Sequence, residues 1–458
     1  MTFTADDLDT LSTSLDGPLF ARGDAALPAE VAGFNTTVVH DPDLVVGAAS
    51  EADVVAAVRF ATRHGLPVRV LATGHGGFSP VVDGVLVTTS RLDQLDIDPE
   101  TRRATVGAGL RWRPVVAAAA EHGLAPVTGS SDSVGVVGYT TGGGLGPFAR
   151  TLGFSSDWVR SFRVVTAGGE LVTASESSHP EMFWALRGGK GGLGVVTSIE
   201  FELVPLTSFY GGSLFFDAEH IPAVLRAWAA FTETAPVEAT SSVAVVRFPP
   251  FDEIPAPLRG KTAVSLRFAY LGDSEAGAAV FQPLRDVAPA FLGAVDVMPA
   301  AAVAMVHNDP DQPGPVWDRG MMLDSVDDGF VDAFLEAFGP GRELPLIAAE
   351  LRHVGGATSR DVPGGSAVGG RDAGYTMVMI GAPDPGLFDT VLPRVADGIT
   401  ELLRPWISAS TNINFAGDLS VPGAYEAAWP ADVFGRLAEV RRSYDPAGVF
   451  PYPPRAAV

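Results

Sequence analysis

The chain has no cysteine. Disulfides, thiolate nucleophiles and cysteine-based metal sites are therefore excluded. No run of about 18 apolar residues occurs, so no membrane-spanning helix is expected. Positive charge is scarce: Lys and Arg total 31 against 54 Asp and Glu, for a net charge of −23. Binding to nucleic acid or an anionic membrane needs clustered basic residues, and a chain of this sign argues against both. The eight histidines are scattered and form no His-x-x-x-His pair on a helix, so no metal site is expected. No Gly-x-Ser-x-Gly elbow is visible. The first residues, Met1 to Asp7, are acidic and lack a basic, then apolar, leader pattern. The chain reads as soluble and cytoplasmic.

What is present is a globular composition, 47% hydrophobic and 19% charged over 458 residues. That length exceeds what one core supports, so two domains are expected. Ser50-Glu51-Ala52-Asp53 has the form of a capping box, apolar residues follow at helical spacing, and Gly65 stops the helix. Residues 67–72, 85–89 and 103–109 are β-rich, and Pro114 opens an Ala-rich helix that ends at Gly123. Gly168-Gly169 between two β-rich runs marks a hairpin. Residues 180–186 form a short helix and 195–204 a strand. After Pro205 the pattern changes. Residues 241–248, 263–270, 346–354 and 375–382 alternate as strands with one wet face, and helical segments near 218–232, 275–286, 326–338 and 386–404 separate them. This predicts an antiparallel sheet backed by helices, and an α+β fold overall. Residues 1–35 read as a helix and a loop, and 432–443 as a last helix.

Two glycine-rich loops stand out. The first is Ala72-Thr73-Gly74-His75-Gly76-Gly77 and the second runs from Gly129 to Gly146. Glycine lets backbone N–H groups approach an anion and places no Cβ in the way. Residues 189–194 fit G-x-G-x-x-G literally, but a helix precedes them and a strand follows, the reverse of a Rossmann turn.

These loops, with Phe183-Trp184-Ala185-Leu186-Arg187-Gly188-Gly189, Asn412-Ile413-Asn414-Phe415 and Tyr444-Asp445-Pro446, resemble the FAD-linked oxidases of the berberine-bridge-enzyme type, in the vanillyl-alcohol-oxidase superfamily. The segments span nearly the whole chain in the family's order. The resemblance implies a PCMH-type FAD domain over residues 1–205, a substrate domain over 206–411, and a segment 412–458 that returns to the FAD domain. It implies FAD bound covalently to His75. Ser131 stands where many relatives carry a second, cysteine attachment, so the link is expected to be single. FAD contacts are implied for Leu71, Ala72, Thr73, Gly74, His75 and Gly76. In the second loop they are implied for Gly129, Ser130, Ser131, Val134, Gly135, Gly138, Thr141, Gly142, Gly144 and Leu145. Gly194, Val195, Val196, Asn412 and Asn414 complete the set. Val134 matches the position that gates oxygen, where valine goes with oxidase behaviour.

Phe415 replaces a tyrosine that serves as base in several relatives, so the base comes from elsewhere or is not needed. Strand alternation puts Glu350 and Arg352 on one face with Leu346 and Ala348, and Tyr375 leads the next strand. Tyr139, Glu350, Arg352 and Tyr375 are the catalytic candidates, with His307 and His353 as further options; a cross-strand ion pair is the plain alternative for Glu350 and Arg352. The expected reaction is hydride transfer from a small-molecule substrate, a secondary-metabolite alcohol, to flavin N5, with reoxidation by O2 to H2O2. The rivals are a flavin-dependent cyclase, a dehydrogenase using another acceptor, and a flavin-binding protein without catalysis. Substrate identity and oligomeric state are not encoded in any pattern.

Overall fold

The computed structural model describes residues 3–419, 421 and 423–452. The molecule is a mixed α+β protein. Its first apolar core gathers around a small parallel sheet. Val85–Thr88 lies between Leu44–Gly47 and Val68–Leu71, parallel to both, and Leu19–Ala21 adds an antiparallel edge. The central strand, Val-Leu-Val-Thr, is buried at every position, as a strand covered on both faces must be. The sequence pattern had suggested only helix and loop before residue 35; Leu19–Ala21 is too short, and too plain in pattern, to announce itself.

Helix Glu51–His64 covers this sheet with Val54, Ala57, Val58 and Ala61, all fully buried. Its N-terminus is half a capping box. Ser50 Oγ accepts from the Asp53 N–H at 3.2 Å. The Asp53 carboxylate does not return to Ser50. It accepts instead from the backbone N–H groups of Asp16 (2.8 Å), Gly17 (3.0 Å) and Ala49 (2.8 Å), tying the N-terminal segment to the helix start. At the other end Gly65 takes φ 65° and donates to the carbonyls of Ala61 and Thr62, the left-handed stop that glycine permits.

A five-stranded antiparallel sheet packs into the same core, in the order Leu95–Asp98, Arg103–Gly107, Val195–Glu202, Val159–Val165, Leu171–Ser175. The last two strands form the hairpin turned by Gly168-Gly169. The chain's end joins this core too: Ile413, Trp429, Leu437, Val440, Val449 and Phe450 are among its buried residues, and the Val68 N–H donates to the Val449 carbonyl at 2.7 Å.

The second core lies under a seven-stranded antiparallel sheet. Its order is Leu292–Pro299, Ser208–Asp217, Thr262–Tyr270, Ala239–Arg247, Leu346–His353, Tyr375–Gly381, Asp318–Leu323. Helices Ile221–Thr234, Ser274–Arg285, Asp328–Phe338 and Val391–Leu403 bury its apolar face. Three of these strands, 208–217, 292–299 and 318–323, carry no clear alternation and were not foreseen. A register shift between Leu346 and Ala348 corrects one expectation: Leu346 turns to the helix side with Ala349 and Leu351, away from Ala348, Glu350 and Arg352. Asn412 caps a 3-10 turn over Ile413–Phe415.

Arg150 links the two parts. Its buried guanidinium donates to the carbonyls of Ala239 (2.9 Å), Val354 (2.6 Å) and Ala235 (3.1 Å), and sits 2.8 Å from His353 Nε2. Burial and this guanidinium lower the His353 pKa to about 3, so the imidazole is neutral and accepts. Among the described residues, no helix is long and apolar enough to cross a membrane.

Asp53 satisfies three otherwise orphaned N–H groups, and each buried orphan costs about 1–3 kcal/mol. Asp53→Ala should therefore destabilise the fold by about 3 kcal/mol, with Asp53→Asn intermediate, read from urea denaturation monitored at the first core. An Asp53→Ala midpoint equal to that of the parent would refute the assignment.

Candidate active site

His75 sits on the turn after strand Val68–Leu71. Gly74 takes φ 71°, and a Cβ there would come within 2.7 Å of Gly33 Cα, so only glycine lets the 33–34 segment close over the loop. The closure brings Phe34 flat against the imidazole, with ring centroids 3.7 Å apart at 14°. His75 Nδ1 lies 3.2 Å from Thr73 Oγ1, and Nε2 lies 3.2 Å from Ser133 Oγ. Ser131 Oγ is 2.9 Å from Ser133 Oγ, one hydroxyl removed from the histidine. Burial, then the nearby Arg111 guanidinium, lowers the His75 pKa to about 4. The imidazole is thus neutral at pH 7 and keeps a lone pair.

The second loop shows two kinds of glycine. Gly129 and Gly144 make room for the Tyr139 ring: Cβ atoms there would come within 2.9 and 2.5 Å of it. Gly142 makes room for Asn414, whose Oδ1 would lie 2.1 Å from a Cβ. A Cβ at Gly135 would press on Thr73 at 3.1 Å, and one at Gly194 on Val164 and Val165 at 2.6 Å. By contrast, Cβ atoms at Gly76 and Gly138 would meet nothing within 4 Å. Those two border open space: Gly76 directly follows His75, and Gly138 lies within the short helix Val136–Thr140.

Lys190 closes the floor. Its backbone N–H donates to the Thr141 carbonyl at 2.9 Å, and its Nζ donates to the Gly138 carbonyl and Asn414 Oδ1, both at 2.6 Å. Asn414 Nδ2 donates to the Tyr139 carbonyl at 2.8 Å, and Asn412 Oδ1 accepts from the Asn414 N–H at 3.0 Å. Burial lowers the Lys190 pKa to about 8. The remaining residues expected here are structural neighbours. Leu71 is buried in a small apolar cluster, and Leu145 in another. Thr141 Oγ1 donates to the Val137 carbonyl at 3.0 Å, Val134 packs on the first core, and Val195 and Val196 pair with Val165 and Val164. A second open space is bordered by Ala72, Thr73, Asp93, Gly109, Leu110 and Arg111. Arg111 makes no salt bridge among the described residues, so its charge is available to an anion. Open glycines, a neutral imidazole and two cations fit a flavin dinucleotide.

Facing this loop is the open side of the seven-stranded sheet. Arg267, Ser242 and Arg352 lie in one row across three strands, with Ser265, Ala244 and Glu350 in the row beyond the next residue. Strands lie about 4.8 Å apart, so Arg267 and Arg352 stand about 10 Å apart with only short side chains between. Glu350 fills that gap. Its Oε1 accepts from Arg267 Nη1 at 2.7 Å and its Oε2 from Arg352 Nη2 at 2.8 Å. Burial opposes ionisation of Glu350, but Arg352, Arg267 and His307 overcome it and hold the carboxyl well below its usual range. Arg352 also reaches Ser130 Oγ at 3.5 Å and lies 5.5 Å from the Phe415 ring centroid. Arg267, Arg352 and His307, together with Leu145, Gly146 and Phe268, line a small cavity.

Two catalytic expectations fail on geometry. Tyr375 pairs with His353, so its side chain is on the helix-covered face, where its hydroxyl lies 2.7 Å from Thr232 Oγ1. It is one residue out of phase with Arg352 and outside the cavity. Tyr139 is a wedge between Gly129 and Gly144; burial raises the pKa of its phenol, which is no base at neutral pH. Sequence reasoning missed Phe34, Arg111, Ser133, Lys190 and Arg267 as site residues. Only Arg267 had a signal, its place in an alternating strand.

A family model described as an FAD binding domain matches residues 42–175. (R)-6-hydroxynicotine oxidase of Paenarthrobacter nicotinovorans is 32% identical over 205 residues, 43% of this chain and 44% of that protein. An FAD-linked oxidoreductase of Pyricularia oryzae, OXR1, is 27% identical over 88% of this chain and 82% of its own length. The solved structure of a berberine-bridge-enzyme-like protein of Physcomitrella patens superposes with a TM-score of 0.83 at 19% identity, covering 97% of this chain and 98% of that one. The matched domain thus marks a flavoprotein, and its fold is that of the superposed berberine-bridge-enzyme-like structure. The matched relatives bear the names of FAD-linked oxidases and oxidoreductases.

The two kinds of glycine predict opposite outcomes. Gly144→Ala places a methyl in the Tyr139 ring at positive φ and should cost about 3 kcal/mol of stability. Gly138→Ala, inside a helix with free space, should leave the apoprotein as stable or up to about 1 kcal/mol more stable, yet lower the flavin bound per chain. Melting curves and flavin absorbance check both; full flavin loading in Gly138→Ala would show that this glycine does not face the cofactor.

Proposed function

We propose that the protein is an oxidase carrying FAD covalently through His75 alone. The observation that supports this most directly is the neutral imidazole, clamped between Phe34, Thr73 and Ser133 beside an open glycine. Bound there, FAD would accept hydride from a substrate C–H bond and pass the electrons to O2, forming H2O2. Gly76 and Gly138 give the ring its room, Arg111 faces the anionic part, and Lys190 presents a cation at the floor next to Asn414. Val134 leaves space for oxygen on the loop.

The substrate is a small molecule, as the name of the 6-hydroxynicotine oxidase relative also favours, and on this reading it is a secondary-metabolite alcohol. It lies between an FAD domain (1–205 with 412–458) and a substrate domain (206–411). Glu350 and Arg352 face its reacting group. Glu350 stays ionised throughout, so it supplies a fixed negative charge, and Arg352 holds that charge in place against Ser130 and Phe415.

Denaturation followed by peptide mass analysis tests the tether. The parent protein should stay yellow after acid precipitation, with the FAD mass on the His75 peptide, and His75→Ala should release all its colour. Colour that washes off the parent, or remains on the variant, would overturn single attachment. Val134→Leu should slow reoxidation by air at least about tenfold, corresponding to about 1.4 kcal/mol, while leaving anaerobic reduction unchanged. Equal reoxidation rates would remove Val134 from the oxygen path.

A further inference from the structure

His307 ends the 3-10 turn Ala300–Val306 and points its ring into the Glu350 cluster. The side chain is 6% exposed and borders the cavity. Its Nε2 lies 3.3 Å from Glu350 Oε1 and 3.5 Å from Ser242 Oγ. An ionised carboxylate only accepts, so the ring proton belongs on Nε2; a lone pair there would face another lone pair. The lone pair is thereby forced onto Nδ1. Nδ1 is buried and has no hydrogen-bond partner among the described residues. A buried nitrogen acceptor left open beside a cavity is costly unless a ligand completes it.

We propose that His307 Nδ1 is the proton acceptor for a neutral hydroxyl on the substrate, and that Glu350 is the positioning residue that fixes its tautomer. The inference rests on the oxidoreductase reading above. As the substrate is oxidised, its O–H proton passes to Nδ1, its C–H hydrogen leaves with the electron pair to the FAD, and the O–H bonding electrons form the C=O bond. The imidazolium so formed stands against the Glu350 carboxylate. Arg267 and Arg352 oppose that charge, which makes the proton easy to give up again. Burial, then Arg352, already lowers the His307 pKa, so the resting ring is neutral. The dyad also explains how the site works without a tyrosine at Phe415, and why Glu350, too stabilised to take a proton itself, is buried here.

The test is nitrogen NMR on the intact holoprotein with ¹⁵N-labelled histidine, using phenol as the hydroxyl probe. His307→Gln identifies the signal. The expected spectrum at pH 7.5 is a neutral ring protonated on Nε2. Phenol should shift the Nδ1 resonance in the direction of an accepted hydrogen bond, and should bind on the order of tenfold more weakly to His307→Gln, the worth of one buried hydrogen bond. Glu350→Gln should abolish the single tautomer while leaving the protein folded and yellow; if that variant fails to fold, the parent spectrum alone decides. A ring protonated on Nδ1, or an Nδ1 signal that saturating phenol does not move, would overturn the proposal. Flavin measured on the same sample is independent: a protein that binds no FAD at all, with the Nδ1 shift intact, would sink the oxidase reading and leave a hydroxyl-binding dyad.

Discussion

A sheet with four helices against one face must place its other face against something. Here that other face carries Arg267, Glu350 and Arg352, and such charges enter an interior only if they neutralise one another. One carboxylate between two guanidiniums does this, leaving a net positive site when His307 is neutral. Short residues on the intervening strand, Ser242 and Ala244, make the arrangement possible, because bulkier ones would keep the long side chains apart. The position of the cavity, the tilt of His307 and the contact of Arg352 with Ser130 and Phe415 all follow from that triad.

The charge balance of the whole chain sharpens the point. The protein carries −23, yet cations border both open spaces: Arg267 and Arg352 one, Arg111 the other. Positive charge thus stands beside the places where an anionic cofactor and a developing oxyanion would lie. A local field of this kind comes from placement rather than from composition.

Much of the fold was legible in the sequence, and the reasons for the exceptions are specific. Helix Glu51–His64 announced itself through Ser50, its apolar spacing and Gly65. The hairpin at Gly168-Gly169 and four strands of the large sheet did so through turn chemistry and alternation. Ser208–Asp217 did not, since Gly211-Gly212 interrupts it; Gly212 is needed there because a Cβ would strike the Ala294 carbonyl at 2.1 Å. Leu292–Pro299 is an edge strand, wet on much of its length, and shows no apolar period. At the site, alternation identified the face shared by Glu350 and Arg352 but could not supply the register that brings in Arg267. It also could not tell that Tyr375 is opposite His353 rather than Arg352. Glycines were legible as a loop but not by purpose: Gly129, Gly142 and Gly144 serve Tyr139 and Asn414, while Gly76 and Gly138 leave room.

Arg150 has a consequence for motion. Three carbonyls on two stretches of the large-sheet half, and a neutral imidazole beside them, hold one guanidinium that comes from the other half. Prising the halves apart would exchange all four of these buried partners for water in a single step. A jaw-like swing of the two halves is therefore costly at this seam, because one motion would have to break all four contacts together.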